Sequence, residues 1–253
     1  MPNLQLNAYD MSAERGYLCQ FNAEDIKLTG ELAQARDVAM RLPQILPTGR
    51  VRHILTESLP SIDMDQALET CSDAQARRLM AHYSFMVQSY VWGEPEAPTI
   101  LPQCLAMPMV AIADHLGQQP LLPYSSYVLD NWGRFDQDGP INLDNIYMLQ
   151  HFLGGQDEAW FVLIHVAIEA QAGAALALMG PIVDCVNNDD LAGAQNHLET
   201  MAEVWAKINA IFDRMPERCD PYVYFERVRP YICLLYTSPS PRDATLSRMP
   251  SSA

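Results

Sequence analysis

The stretch WFVLIHVAIEAQAGAALALMGPIVDCV, residues 160–186, decides the fold class. It is apolar on almost every side of a helix, and its neighbours extend the helical reading to 157–187. A helix of this kind is buried on almost every side. Its small residues, from Ala170 to Ala177, let another backbone or a flat ligand approach closely. Gly180-Pro181 is expected to bend it, because a proline removes one backbone hydrogen bond and crowds the preceding turn.

The segments around it also repeat at helical spacing, and period-two alternation is nearly absent. Downstream, residues 187–190 cap a helix whose Leu191, Ala194, Leu198, Met201, Trp205, Ile208 and Phe212 share one face. Asp220-Pro221 opens a last helix, YVYFERVR, with proline near its first turn. Upstream, residues 124–132 read as a short apolar helix and residues 133–140 as a polar turn. Residues 102–116 read as a helix that Pro108 should kink or interrupt. Residues 94–102 hold three prolines and read as an extended crossing. Ser72 and Gln75 fit a capping box. The helix they open carries Leu79, Tyr83, Met86, Val87 and Tyr90, and Gly93 is placed to close it in a left-handed conformation. The earliest helix spans 23–42, with Ile26, Leu32, Ala35, Val38 and Leu42 on one side, and Pro43 and Pro47-Thr48 end it. No internal repeat is evident.

Bulk numbers narrow the function classes. Hydrophobic content of 49% and charged content of 19% are those of a globular protein. A formal net charge of −15 repels phosphate backbones and anionic bilayers, so neither nucleic acid nor a membrane surface is expected as a partner. The cysteines are scattered, with neither a C-x-x-C pair nor zinc spacing, and read as free thiols in a reducing compartment. The first ten residues lack a basic start followed by an apolar run, and no uninterrupted apolar run reaches membrane-spanning length. The expectation is a cytoplasmic protein.

The last twenty-one residues, CLLYTSPSPRDATLSRMPSSA from Cys233 to Ala253, read differently. They back-translate, codon by codon, into the end and index-primer sequences of a sequencing-library adapter. The expectation is that native sequence stops at about Ile232 and that residues 233–253 pack on nothing. Arg242, Arg248 and Asp243 give this tail a net +1, which leaves −16 on the rest.

Generic catalytic motifs are missing: there is no phosphate-cradling glycine loop, no H-E-x-x-H and no G-x-S-x-G. Two side chains stand out instead. His165 lies in the middle of the most apolar helix, where an imidazole needs a partner. Composition alone favours a satisfied core histidine there over a ligand or acid–base role. Arg229 follows the aromatic pair Tyr224 and Phe225 and either presents a forked donor to a carboxylate or flanks a solvated face, as Arg227 does. His82 reads as structural. His53, His115, His151 and His197 read as surface residues.

Four stretches taken in order carry a resemblance: SYVWG (89–93), LPYSSYVLDNW (122–132), WFVLIHVAIEAQAGAA (160–175) and DPYVYFERVRPYI (220–232). Together they resemble the indoleamine 2,3-dioxygenase family of haem proteins, over nearly all of the chain before the tail. The resemblance implies an all-α fold, with a small N-terminal helical domain in residues 1–150 and the first part of a larger helical haem domain in 151–232. It implies haem b between them and insertion of both atoms of O₂ across the indole C2–C3 bond of L-tryptophan, giving N-formylkynurenine. By the same resemblance Tyr124, Tyr127 and Val128 line the distal pocket, and Phe161 packs on the indole. Tyr224, beside Phe225, stands where the family usually has phenylalanine, and Arg229 matches the arginine that holds the substrate carboxylate. His165 falls where some members carry serine and where the related tryptophan dioxygenases place a histidine near the indole N–H. That favours a functional His165, and Phe161, His165 and Ile168 share one helix face. The family's axial histidine lies in a later helix, beyond Ile232, so no metal ligand is assigned and this fragment is expected to be inactive. Two rivals stand beside this reading: a haem enzyme acting on another indole in secondary metabolism, and a non-enzymatic helical binding domain.

Overall fold

The computed structural model describes residues 5–232. The adapter-like tail, and the expectation that it packs on nothing, lie outside the described residues. The fold is largely all-α, as the periodicity implies. In chain order it holds α1 (Gly30–Met40), α2 (Leu42–Ile45), α3 (Val51–Ser58), α4 (Met64–Thr70), α5 (Asp73–Trp92) and α6 (Gln103–His115). A π-helical turn (Ser125–Leu129) and a short hairpin, β1 (Trp132–Arg134) with β2 (Ile146–Met148), follow. Then come α7 (Gln156–Asn187), α8 (Leu191–Phe212), α9 (Pro221–Val223) and a second π turn (Tyr224–Val228).

The capping box is formed: Ser72 Oγ accepts from the Gln75 N–H, and Gln75 Oε1 accepts from the Ser72 N–H at 3.0 Å. The helix it opens is buried well beyond its apolar stripe. Arg78, His82, Ser84, Gln88 and Ser89 are all buried on α5. A polar knot accounts for the pair Asp130-Asn131. The Asp130 carboxylate accepts from Arg77 Nε at 2.7 Å, and its carbonyl accepts from Arg78 at 2.8 Å. Asn131 exchanges hydrogen bonds with the Gln150 backbone, while the Gln150 side chain joins His82 Nδ1 at 2.9 Å and the Ala39 carbonyl at 2.8 Å. Each side chain of this knot finds a partner, which is the condition for burying it, whereas Tyr83 OH and Ser89 Oγ on the same helix are buried without one among the described residues. Burial, with Arg78 nearby, pushes the His82 imidazole down to about 3, so it is neutral, in keeping with a structural role.

Several boundaries differ from the sequence reading. The first helix starts at Gly30, not residue 23, because residues 23–25 form a separate 3-10 turn. Gly93 closes α5 with φ −79°, a right-handed conformation. α6 continues past a buried Pro108, which costs one hydrogen bond without ending the helix. The segment 124–132 is a π turn leading into β1, and the polar turn at 133–140 begins as a strand. Trp132 faces Met148 and Arg134 faces Ile146 across the hairpin. Three-residue strands are too short to show alternation.

α7 is the axis of the molecule. Gly154 and Gly155 enter it with φ 71° and 99°. Glu158, buried in its first turn, accepts three backbone N–H groups, from Phe152 (2.6 Å), Leu153 (3.1 Å) and Gly154 (2.8 Å). By length and composition α7 is apolar enough to cross a membrane, against the expectation that no run reaches that length. Isolated polar residues interrupt the run, yet its mean hydropathy stays at 1.8. It packs as a core helix, against the first π turn, β2 and α8. The small-residue stretch admits a backbone: a Cβ on Gly173 would lie 2.5 Å from the Ala13 carbonyl oxygen, and one on Gly16 would overlap the Glu169 carbonyl. The main core draws residues from both sides of position 150, from Leu18 to Ala170. Asp190 caps α8 by accepting from the Gly193 N–H at 2.9 Å. α8 buries Ala194, Val204 and Ile208, whereas Leu191, Leu198, Trp205 and Phe212 repeat every seventh residue along an exposed seam.

Candidate functional site

One face of α7 is left half open. Phe161, His165, Ile168, Ala172 and Leu176 are half-buried along it, followed by the exposed Met179 and Val183. Their spacing of three and four residues makes one helical stripe. Two other elements close its upper end, and both are π-helical. One additional residue per turn widens the backbone and re-aims side chains, which is why π turns gather at functional sites.

The first π turn supplies Tyr124 at its N-terminus and Tyr127 and Val128 within it. Tyr124 donates to Glu169 at 3.1 Å and meets the His165 ring edge-on, with centroids 6.4 Å apart. Burial raises both the Tyr124 phenol and the Glu169 carboxyl above their ordinary ranges. Tyr127 and Val128 are buried, and Tyr127 packs toward Phe85 and Phe152. The second π turn supplies Tyr224 and Phe225. Tyr224 is stacked on Phe161 at 4.1 Å, and its hydroxyl meets that of Tyr127 at 3.3 Å. The hydroxyl that Tyr224 brings is therefore engaged from across the chain. Burial is the main cause that holds both phenols protonated. Phe225 is 59% exposed, and the Arg229 guanidinium lies over its ring at 5.9 Å.

Phe161 and His165 are neighbours at 4.5 Å. His165 Nδ1 lies 2.7 Å from the Phe161 carbonyl oxygen. A carbonyl only accepts, so Nδ1 carries the proton, and in the neutral ring Nε2 is left as an acceptor. Five of the residues singled out in the sequence thus form a linked series, Tyr124–His165–Phe161–Tyr224–Tyr127, while Phe225 and Arg229 pair with each other and Val128 is buried in the core. Sequence reasoning missed Glu169, which holds Tyr124, and Glu158, which anchors the loop leading into α7. Glu169 lies one turn after His165, and that spacing was the available signal. It also placed His151 at the surface. The ring is half-buried, and burial lowers its pKa.

The fold is that of a helical protein with a stacked aromatic wall along one half-open helix face, and an imidazole with one nitrogen committed to the backbone. Residues 5–240 match the family described as Indoleamine 2,3-dioxygenase, and the chain belongs to that family. Indoleamine 2,3-dioxygenase 1 of Mus musculus is 29% identical over 201 residues, 77% of this chain and 47% of its own length. Indoleamine 2,3-dioxygenase nanC of Aspergillus nanangensis is 29% identical over 238 residues, 90% of this chain and 56% of its own. The Saccharomyces cerevisiae indoleamine 2,3-dioxygenase is 28% identical over 204 residues, 78% and 45%. The chain spans about half the length of the curated relatives it matches.

Proposed function

We propose that this sequence belongs to a haem-dependent dioxygenase that cleaves the indole C2–C3 bond of L-tryptophan to N-formylkynurenine, and that the α7 face is the substrate-side wall of its pocket. The observation that carries the reading is the 2.7 Å contact of His165 Nδ1 with the Phe161 carbonyl, which in the neutral ring leaves Nε2 to accept the indole N–H. Phe161, stacked on Tyr224, offers its face to the indole, and Arg229 takes the carboxylate. Residues 1–150 and 151–232 contribute opposite sides of the wall, through Tyr124 and Tyr127 on one hand and Phe161, His165, Tyr224 and Arg229 on the other.

Haem fits the face in part. A flat macrocycle needs an apolar surface, and the half-open stripe from Ile168 to Leu176 supplies one. It also needs an axial ligand. No side chain of the stripe is assigned to that place: His165, whose Nδ1 donates to the Phe161 carbonyl, keeps Nε2 free and is read here as the acceptor for the indole. When bound, the haem supplies the oxygen chemistry, while the protein binds and orients the indole and excludes water. The test is turnover by a full-length, haem-loaded enzyme carrying this sequence, supplied with L-tryptophan and O₂. Formation of N-formylkynurenine is expected. Turnover of another indole with none of L-tryptophan would favour the secondary-metabolism reading, and no haem uptake by that enzyme would favour a non-enzymatic binding domain.

A further inference from the structure

Between Ala159 and Val183, α7 carries one formally charged side chain, Glu169. It is half-buried and forms no ion pair among the described residues. Taking a carboxylate out of water without a counter-charge is costly, and an apolar residue would fill the same place without that penalty. Burial accordingly pushes its carboxyl up, while the hydrogen bond from Tyr124 and the nearby His165 favour the ionised form. The one hydrogen bond its side chain makes among the described residues comes from the Tyr124 hydroxyl, at 3.1 Å. Glu169 lies one turn beyond His165, and Tyr124 spans the two. Its hydroxyl rests on Glu169, and its ring stands edge-on to the imidazole, with centroids 6.4 Å and planes 76° apart.

We propose that Glu169 is a positioning residue for the indole pocket: acting through Tyr124, it fixes the plane of the His165 ring and so sets how sharply the site selects an indole with a free N–H. The proposal rests on the reading of the α7 face as the substrate-side wall. The bond from Nδ1 to the Phe161 carbonyl holds one edge of the imidazole. It leaves the ring free to rock about that edge, because the terminal torsion of histidine has broad minima. A second ring set edge-on restricts the rocking. Tyr124 cannot hold this place by packing alone, since it is 47% exposed and stands at the N-terminal edge of the π turn. Its bond to Glu169 supplies the restraint. Glu169 in turn stands on a wedged stretch of backbone. A Cβ on Gly16 would overlap the Glu169 carbonyl and lie 3.2 Å from the Gly173 nitrogen, so the N-terminal segment seats directly behind this turn of α7. The direction of Nε2 is thereby set from two sides, by the Phe161 carbonyl and by the Glu169–Tyr124 pair.

The test is equilibrium binding without turnover. The full-length, haem-loaded enzyme is titrated calorimetrically, free of oxygen, with L-tryptophan and with its analogue methylated on the indole nitrogen. The ratio of the two Kd values is the readout. Glu169→Leu is expected to lower the preference for L-tryptophan by about tenfold. Tyr124→Phe, which deletes only the hydroxyl, should lower it by a similar factor. The double variant should lose no more than either single one, because both break the same link. Glu169→Gln keeps an acceptor for the phenol and should retain the preference. An intact preference in Glu169→Leu, with only a lower thermal midpoint, would make the residue structural and overturn the proposal. Loss in Glu169→Leu but not in Tyr124→Phe, or additive losses in the double variant, would overturn the route through Tyr124. His165→Ala separates this proposal from the reading beneath it. Loss of preference there but not in Glu169→Leu sinks the positioning role alone, whereas retention in both sinks the pocket reading and the proposal with it.

Discussion

The 2.7 Å contact between His165 Nδ1 and the Phe161 carbonyl decides which nitrogen faces outward as an acceptor. If that acceptor meets the indole N–H, His165→Ala in the full-length enzyme lowers turnover modestly. It also abolishes discrimination between tryptophan and its analogue methylated on the indole nitrogen. His165→Ser is milder, because a hydroxyl can still accept. Turnover per folded haem that is intact in His165→Ala, with loss of stability only, would return this residue to the core. Arg229→Ala removes a charge-assisted contact worth about 1.5–3 kcal/mol, and kcat/KM is expected to fall by roughly one to two orders of magnitude. Lysine should rescue little, since the planar fork is lost; unchanged kinetics in Arg229→Ala would remove it from the site. At this scale His165 and Arg229 were legible because each is chemically out of place in its local stretch. His82 and Gln150 lie 68 positions apart and meet only after folding, so no local pattern reports their pairing.

Among elements, the long apolar helix, the capping box at Ser72 and the Asp190 cap were legible, since each is a local pattern with a local cause. The π turns were not. Their sequences, SSYVL and YFERV, differ in no periodic way from α-helix, and the wider turn is set by what packs on either side. The hairpin was missed for brevity alone. The small-residue stretch left two occupants open, a backbone or a flat ligand, and the segment Ala13–Gly16 takes the place beside Gly173. Gly173→Ala therefore drives a methyl against the Ala13 carbonyl, 2.5 Å from the ideal Cβ position. Overpacking of this kind costs about 1–3 kcal/mol, read as a lower denaturant midpoint. An unchanged midpoint would show that the N-terminal segment yields at no cost.

Over the whole molecule, net charge and exposed apolar surface pull in opposite directions. A formal charge of −15 favours solubility. The α8 seam of Leu191, Leu198, Trp205 and Phe212, with Met179, Val183 and Val186 on α7, leaves apolar side chains unpaired in the described residues. Self-association of this chain through that seam is expected. If the α7 face is one wall of a haem pocket, as proposed, and the axial ligand is not among the assigned residues, haem titration of the chain as written should give weak, broad absorption. A stoichiometric, sharp Soret band from a soluble monomer would overturn that expectation.

The hydroxyl contact between Tyr127 and Tyr224 joins segments 97 positions apart through one phenol–phenol hydrogen bond. Phenol absorption responds to hydrogen bonding and to solvent, so this pair is a built-in optical gauge of how closely the two halves of the wall are held. Ultraviolet difference spectra, calibrated against Tyr224→Phe, would follow opening and closing of the pocket without any attached label. Because the pair lies behind Phe161, on which Tyr224 is stacked, the signal would report the posture of the protein rather than contact with an occupant of the open face.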